Sequence, residues 1–236
     1  MKKLIILISM MLTVLLSAST SFCAQNSNLL SVGNGLPIAT YTYDALGRRL
    51  EKLLATGDDT LFISHGQRVI EEYEDSGSGY ALERSYVYGT YIDNVIAKIE
   101  DNSGSPTPLY YHSDRQFNVR GLTDSSGDIV ELYAYSVYGK QTVMDATGVV
   151  LVGSDYNNNY GFTGRYLDDE TDLWYFRARY FSDELGRFIS RDPLGYVDGM
   201  SLYQGYFASG FGLDPYGKAL FKIIHTEVIS PVEPCL

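Results

Sequence analysis

From Thr40 onward, apolar and polar residues alternate in short runs, and each run stops at a turn signal. Tyr41-Thr42-Tyr43-Asp44-Ala45-Leu46-Gly47-Arg48-Arg49-Leu50 alternates, turns at Asp-x-x-Gly, and alternates again. A period of two places successive side chains on opposite faces of a strand. Similar centres recur at Phe62 to Gly66, Tyr86 to Gly89, Tyr110 to Asp114 and Tyr133 to Gly139. Taking Tyr43, Ser64, Tyr88, His112 and Tyr135 as equivalent gives steps of 21, 24, 24 and 23 residues. A period in the low twenties signals stacked supersecondary units, each with room for two strands of about five or six residues and two turns. Asp75 to Gly77, Asp101 to Gly104, Asp124 to Gly127 and Asp145 to Gly148 fall between the runs. Asp opens such a turn through its own backbone, and Gly closes it.

The ends depart from this pattern. Lys2 and Lys3 precede an apolar run from Leu4 to Leu16, and small polar residues follow to Ser21. That layout is a secretory signal, with a core too short to span a bilayer. Ser21 and Cys23 suit cleavage before Ala24. Acylation of Cys23 and an uncleaved anchor stay open as other readings. The expected organisation is a signal at 1–23, a linker at 24–39, repeats at 40–150, a polar connector at 151–159, a denser segment at 160–217 and a short tail at 218–236. Once the signal is removed, the expected location is outside the cytoplasm, with no integral membrane span.

Composition sharpens the fold class. The chain has 21 Tyr and 23 Gly but one Trp. Tyr suits the pleated surface of a sheet and Gly supplies tight turns. The expectation is all-β, a curved or rolled antiparallel sheet of hairpins. A formal charge of −11 argues against nucleic acid and anionic membranes as partners, because both call for a basic face. The turn aspartates lack the ligand spacing of a calcium loop. His65, His112 and His225 lack zinc spacing. No metal or cofactor is expected.

Residues 160–217 carry the more specific signal. Tyr160 to Arg165 leads to Tyr175-Phe176-Arg177-Ala178-Arg179-Tyr180-Phe181, then to Gly186-Arg187-Phe188-Ile189-Ser190-Arg191-Asp192-Pro193-Leu194-Gly195, and ends at Asp214-Pro215-Tyr216-Gly217. This stretch closely resembles the rearrangement-hotspot (RHS) repeat-associated core domain, and the Tyr41–Leu50 unit resembles the YD repeat that precedes such cores. Phe181 stands where a second Tyr is usual. Lys218 stands where an apolar residue, usually Leu, follows the last Asp-Pro-x-Gly. The Asn-rich turn usual before the final Asp is replaced by Tyr206 to Leu213.

The resemblance implies a β-shell closed at one end by the core. It also implies an aspartic self-protease in which Arg179, Asp192 and Asp214 are the catalytic group. Two close carboxylates cannot both ionise, so one can activate water while the other donates a proton. The structural alternative is that Asp-Pro-x-Gly is an ordinary turn and Arg179 a tie to it. A guest of about 100 residues has a radius of gyration of about 13 Å, and wrapping it takes roughly 23–26 strands at the usual spacing. The chain offers about 14–16 by the repeat spacing, so open edges are expected to pair with a second copy or a longer RHS-type protein. Three functions follow: an exported structural or interaction module without cargo, a self-cleaving enzyme, and a module binding surface glycan through exposed Tyr.

Overall fold

The structure is a computed structural model describing residues 27–30, 37–75, 77–102, 105–197, 199–205, 212–218, 221–224 and 227–228. The signal at 1–23, Cys23 and most of the tail lie outside the described residues. The repeats form one antiparallel meander of eleven strands in chain order. They are β1 (Ser27–Leu30), β2 (Pro37–Tyr43), β3 (Arg49–Leu54), β4 (Asp59–His65), β5 (Arg68–Asp75), β6 (Ala81–Tyr88), β7 (Val95–Asn102), β8 (Ser105–Ser113), β9 (Val119–Thr123), β10 (Ile129–Tyr135) and β11 (Gln141–Asp145). The five residues set equivalent by sequence spacing fall on β2, β4, β6, β8 and β10. The period is therefore one hairpin. Among the described residues the fold is all-β, as the alternation predicts, with a 3-10 turn at Phe162–Gly164.

Two expectations need correcting. Residues 27–30, read as linker, pair as β1 with β2, since backbone pairing there needs no alternating apolar side chains. The tail contributes β17 (Phe221–Ile224) and β18 (Glu227–Val228), which join β16 (Gly212–Leu213) in a three-stranded sheet.

Register shifts recur with nearly the same period. They fall between Thr42 and Tyr43, Ile63 and Ser64, Val87 and Tyr88, and His112 and Ser113. These four sit at or beside repeat-equivalent residues, where an extra residue bends and twists the strand. Tyr135, by contrast, pairs without a shift, and those at Leu29/Leu30, Glu72/Tyr73 and Ile129/Glu131 fall elsewhere.

The inner face is aromatic but not wholly apolar. Phe62, Tyr86, Leu109, Tyr111, Leu122 and Tyr133 are buried together with Tyr160 and Tyr166 of the denser segment. Tyr86 meets Tyr160 edge-on at 4.9 Å, and Phe62 meets Tyr166 at 5.9 Å. Arg49, Glu72, Arg84, Lys98 and Glu131 are buried at inward positions of the same face. The denser segment adds a four-stranded sheet of β12 (Tyr166–Asp168), β13 (Leu173–Tyr175), β14 (Tyr180–Ser182) and β15 (Arg187–Phe188). Its core is Trp174, Phe176, Phe181 and Phe188. Among the described residues no helix is long and apolar enough to cross a membrane.

Asp44, Asp75, Asp114, Asp124 and Asp145 cap their turns as the sequence predicts, whereas Asp101 stays within β7, opposite Pro106. Asp114 accepts from Gln116 N at 2.9 Å, Asn118 N at 3.1 Å and Arg120 Nε at 2.9 Å. Burial alone would raise its pKa, but the Asn118 side chain and these donors hold it below the ordinary value. Asp44 is lowered likewise, burial being outweighed by Arg48 and the turn amides. The folded state then binds fewer protons than the unfolded chain. This stabilisation is present above the unfolded carboxylate value, about 3.9, and is lost as pH falls through the depressed folded values. Asp114→Asn is expected to cost on the order of 1 kcal/mol at pH 7, solvent screening keeping it small. It should also flatten the fall in urea midpoint between pH 5 and pH 2. An unchanged acid slope would remove Asp114 from that account.

Candidate functional site: an arginine clamp on two Asp-Pro-x-Gly turns

Arg179 enters the site from a tight reversal between β13 and β14, closed by Phe176 N donating to Arg179 O at 2.8 Å. Within it Arg177 has φ +60°, a left-handed conformation uncommon outside glycine. Three contacts hold it there. Its Nε donates to Gln67 O at 3.2 Å, its Nη2 to Asp93 Oδ1 at 2.8 Å, and its Nη1 to Pro215 O. A strained residue persists where its surroundings over-determine it.

The three residues singled out from sequence come together. Arg179 Nη1 lies 2.9 Å from Asp192 Oδ2, and Nη2 lies 2.9 Å from Asp214 Oδ2. The guanidinium is buried and stacks 3.7 Å over the Phe188 ring. Each carboxylate heads its own turn. Asp192 Oδ1 accepts from Leu194 N at 2.8 Å, and Asp192 O accepts from Gly195 N at 3.1 Å. Asp214 Oδ1 accepts from Lys218 N at 2.9 Å, and Asp214 O accepts from Gly217 N at 3.4 Å. Arg179 Nε donates to Gly217 O at 2.5 Å. The Gly217–Lys218 peptide is thus held at both ends, its carbonyl by Arg179 and its N–H by Asp214.

Sequence reasoning missed the second half of the clamp. Asp93, on the connection between β6 and β7, is buried and accepts from Arg165 Nη1 at 2.9 Å and Nη2 at 2.6 Å. Arg165 Nη2 also donates to Asp214 O at 3.1 Å. Burial pushes the Arg165 guanidinium below its usual value, Asp93 opposes this, and Arg177 adds to it. Arg177 moves the other way, burial being outweighed by Asp93. Arg165 and Arg177 both sit inside the family-like motifs, which was the available signal. Asp93 sits in an unremarked turn.

A separate buried pair fastens the segment to the first repeat. Arg49 Nη1 donates to Asp168 at 2.7 and 2.6 Å, ringed by Tyr41, Phe62, Tyr166 and Tyr175. Most repeat tyrosines are likewise committed to packing, while Tyr80, Tyr110, Tyr138, Tyr196 and Tyr216 remain exposed.

No family model matches the chain. It is 30% identical over 198 residues to the tRNA3(Ser)-specific nuclease WapA of Bacillus spizizenii, covering 82% of this chain and 8% of that protein. It is 26% identical over 204 residues to the double-stranded DNA deaminase toxin A of Burkholderia cenocepacia, covering 78% of this chain and 14% of the toxin. A shorter match of 48% over 64 residues, 27% of this chain and 5% of the relative, is to the toxin protein Tse5 of Pseudomonas aeruginosa. The crystal structure of TcdB2-TccC3 superposes with a TM-score of 0.62 at 19% identity, over 82% of this chain and 10% of that one. That likeness is one of fold. The chain spans a small fraction of these proteins' lengths, and its relatives are toxins or toxin-related proteins.

Proposed function

We propose that this chain is an exported structural and interaction module of the RHS kind, a short β-shell segment closed by its own core. The observation that carries this reading is the seam between the repeat sheet and residues 160–217. Arg49–Asp168 joins the first repeat to the core, and Asp93 joins the β6–β7 turn to Arg165 and Arg177. Buried pairs of this kind fix one arrangement because breaking either partner strands a charge. The activities in the relatives' names belong to proteins of which this chain spans 8–14%, and what we carry over is the association with toxins. Of the two ends of the eleven-stranded sheet, β11 is partly covered by the Val150 bridge to Met144, so β1 is where a second copy or a longer relative would add strands. Intact-mass measurement of the secreted protein tests this reading: a species running from about Ala24 to Leu236 supports it, and a chain kept inside the cell counts against it.

Self-cleavage is the second reading, favoured by the hold on the Gly217–Lys218 peptide. Arg179 Nε is placed to stabilise negative charge on Gly217 O. With the two carboxylates sharing one proton, ionised Asp192 would take a proton from an attacking water, and protonated Asp214, beside Lys218 N, would give its own to the departing amine. The same mass measurement separates the readings. Cleavage predicts loss of the residues after Gly217 or Lys218, abolished by Asp192→Asn. Full retention of the tail in the unaltered protein would rule it out.

A further inference from the structure

We infer that the groove formed by Arg165, Arg177 and Arg179 is a receptor for an acidic Asp-Pro-x-Gly turn, held as an exchangeable ligand that a second copy of this chain can also supply. This goes beyond the structural reading and requires no bond at the site to break.

Charge is the first reason. Without residues 212–218, three guanidinium groups of the groove face two carboxylates, Asp93 and Asp192. The turn brings the third carboxylate, Asp214, and seats it on Arg179 at 2.9 Å. An uncompensated buried cation is costly, so the groove selects a ligand carrying one negative charge.

The second reason is how the backbone is read. Arg165 donates to Asp214 O, Arg177 to Pro215 O and Arg179 to Gly217 O. The Ala178 amide adds a bond to Tyr216 O at 3.3 Å. Every carbonyl from 214 to 217 therefore has a donor from the body of the protein. That is how a binding groove recognises an extended or turned peptide, with charge-assisted bonds supplying much of the strength.

The third reason is specificity. Gly217 has φ +65°, and a Cβ there would run into the Phe176 carbonyl oxygen, a backbone atom. The first turn differs: a Cβ on Gly195 meets nothing within 4 Å, and Pro193 is exposed whereas Pro215 is buried. The carboxylates of the two Asp-Pro-x-Gly turns share Arg179. The first turn is tied through Asp192 N donating to Leu202 O at 2.9 Å, and among the described residues it is the second whose successive carbonyls accept from the body of the protein.

To test this, a site for a specific protease is placed within positions 206–211 of the full chain, and the chain is cut there. Residues 212–236 are expected to stay bound through gel filtration. Excess synthetic peptide of residues 212–218 should displace them, and two differently tagged cut proteins should exchange them. In the labelled peptide, Asp214→Asn and Gly217→Ala should each weaken binding about tenfold or more, whereas Lys218→Ala should change it by about twofold at most. Three results would overturn the inference: unfolding or loss of the segment on cutting, retention that no excess of peptide displaces, and binding of the Asp214→Asn and Gly217→Ala peptides as tight as that of the unaltered peptide.

Discussion

Replacing Asp93 by alanine is expected to lower the free energy of unfolding by about 3–5 kcal/mol, read from urea denaturation at pH 7. Asp93 is the one carboxylate that both Arg165 and Arg177 use, and its side chain is only 1% exposed. Removing it leaves two guanidinium groups without their carboxylate, with side chains 3% (Arg165) and 14% (Arg177) exposed. The loss should exceed that of an ordinary hydrogen bond, which is about 1 kcal/mol. Asp93→Ala combined with Arg177→Ala should recover part of it, because the second change removes one of the stranded charges, and contacting residues are not additive. A loss below about 1 kcal/mol would mean that solvent reaches the site and the pair is not a structural tie.

Arg179→Ala is the second large effect, about 3–5 kcal/mol by the same reasoning with the signs exchanged. Two carboxylates, Asp192 and Asp214, would lose their cation, and Gly217 O would lose its donor. Arg179→Lys should fall between the variant and the parent. It restores charge, but a point cation cannot form the planar fork that spans both turns. Hydrogen exchange gives a local readout, since the Lys218 amide is held by Asp214 Oδ1 and should lose protection in Arg179→Ala. If that amide stays protected while global stability falls, Arg179 supports the core through Phe188 and not the turn.

Much of this was legible in the chain. The hairpin period and the turn positions follow from local patterns, and the grouping of Arg179, Asp192 and Asp214 is what the family resemblance of their motifs implies. Turn chemistry depends on residues close in sequence, so it survives being read without a structure. The contacts that were missed are long-range. Arg49 finds Asp168 across 119 positions, and Arg165 finds Asp93 across 72. Nothing local marks Asp93 as the common partner of two arginines. The inward charges Glu72, Arg84 and Lys98 were also hidden, because an alternating pattern predicts that such residues face solvent. They are buried here because they find partners on the inner face: Arg84 pairs with Glu72 of the neighbouring strand at 2.7 Å, and Lys98 pairs with Glu100 at 2.7 Å and donates to Tyr156 O of the connector. Strand β1 was passed over since its residues show no aromatic alternation, although backbone pairing alone suffices to add it to the sheet.

The recurring register shifts reach further than local geometry. A strand-bending register shift recurs in four successive hairpins, while β10 and β11 pair without one, so an array that kept the shift in every unit would turn by a similar increment at each step. Longer arrays of such units would travel farther around and along the coil without becoming wider, as expected when each repeat contacts only its neighbours. In a shell assembled from units that all kept the shift, the bore would be set by the single repeat and the length by their number.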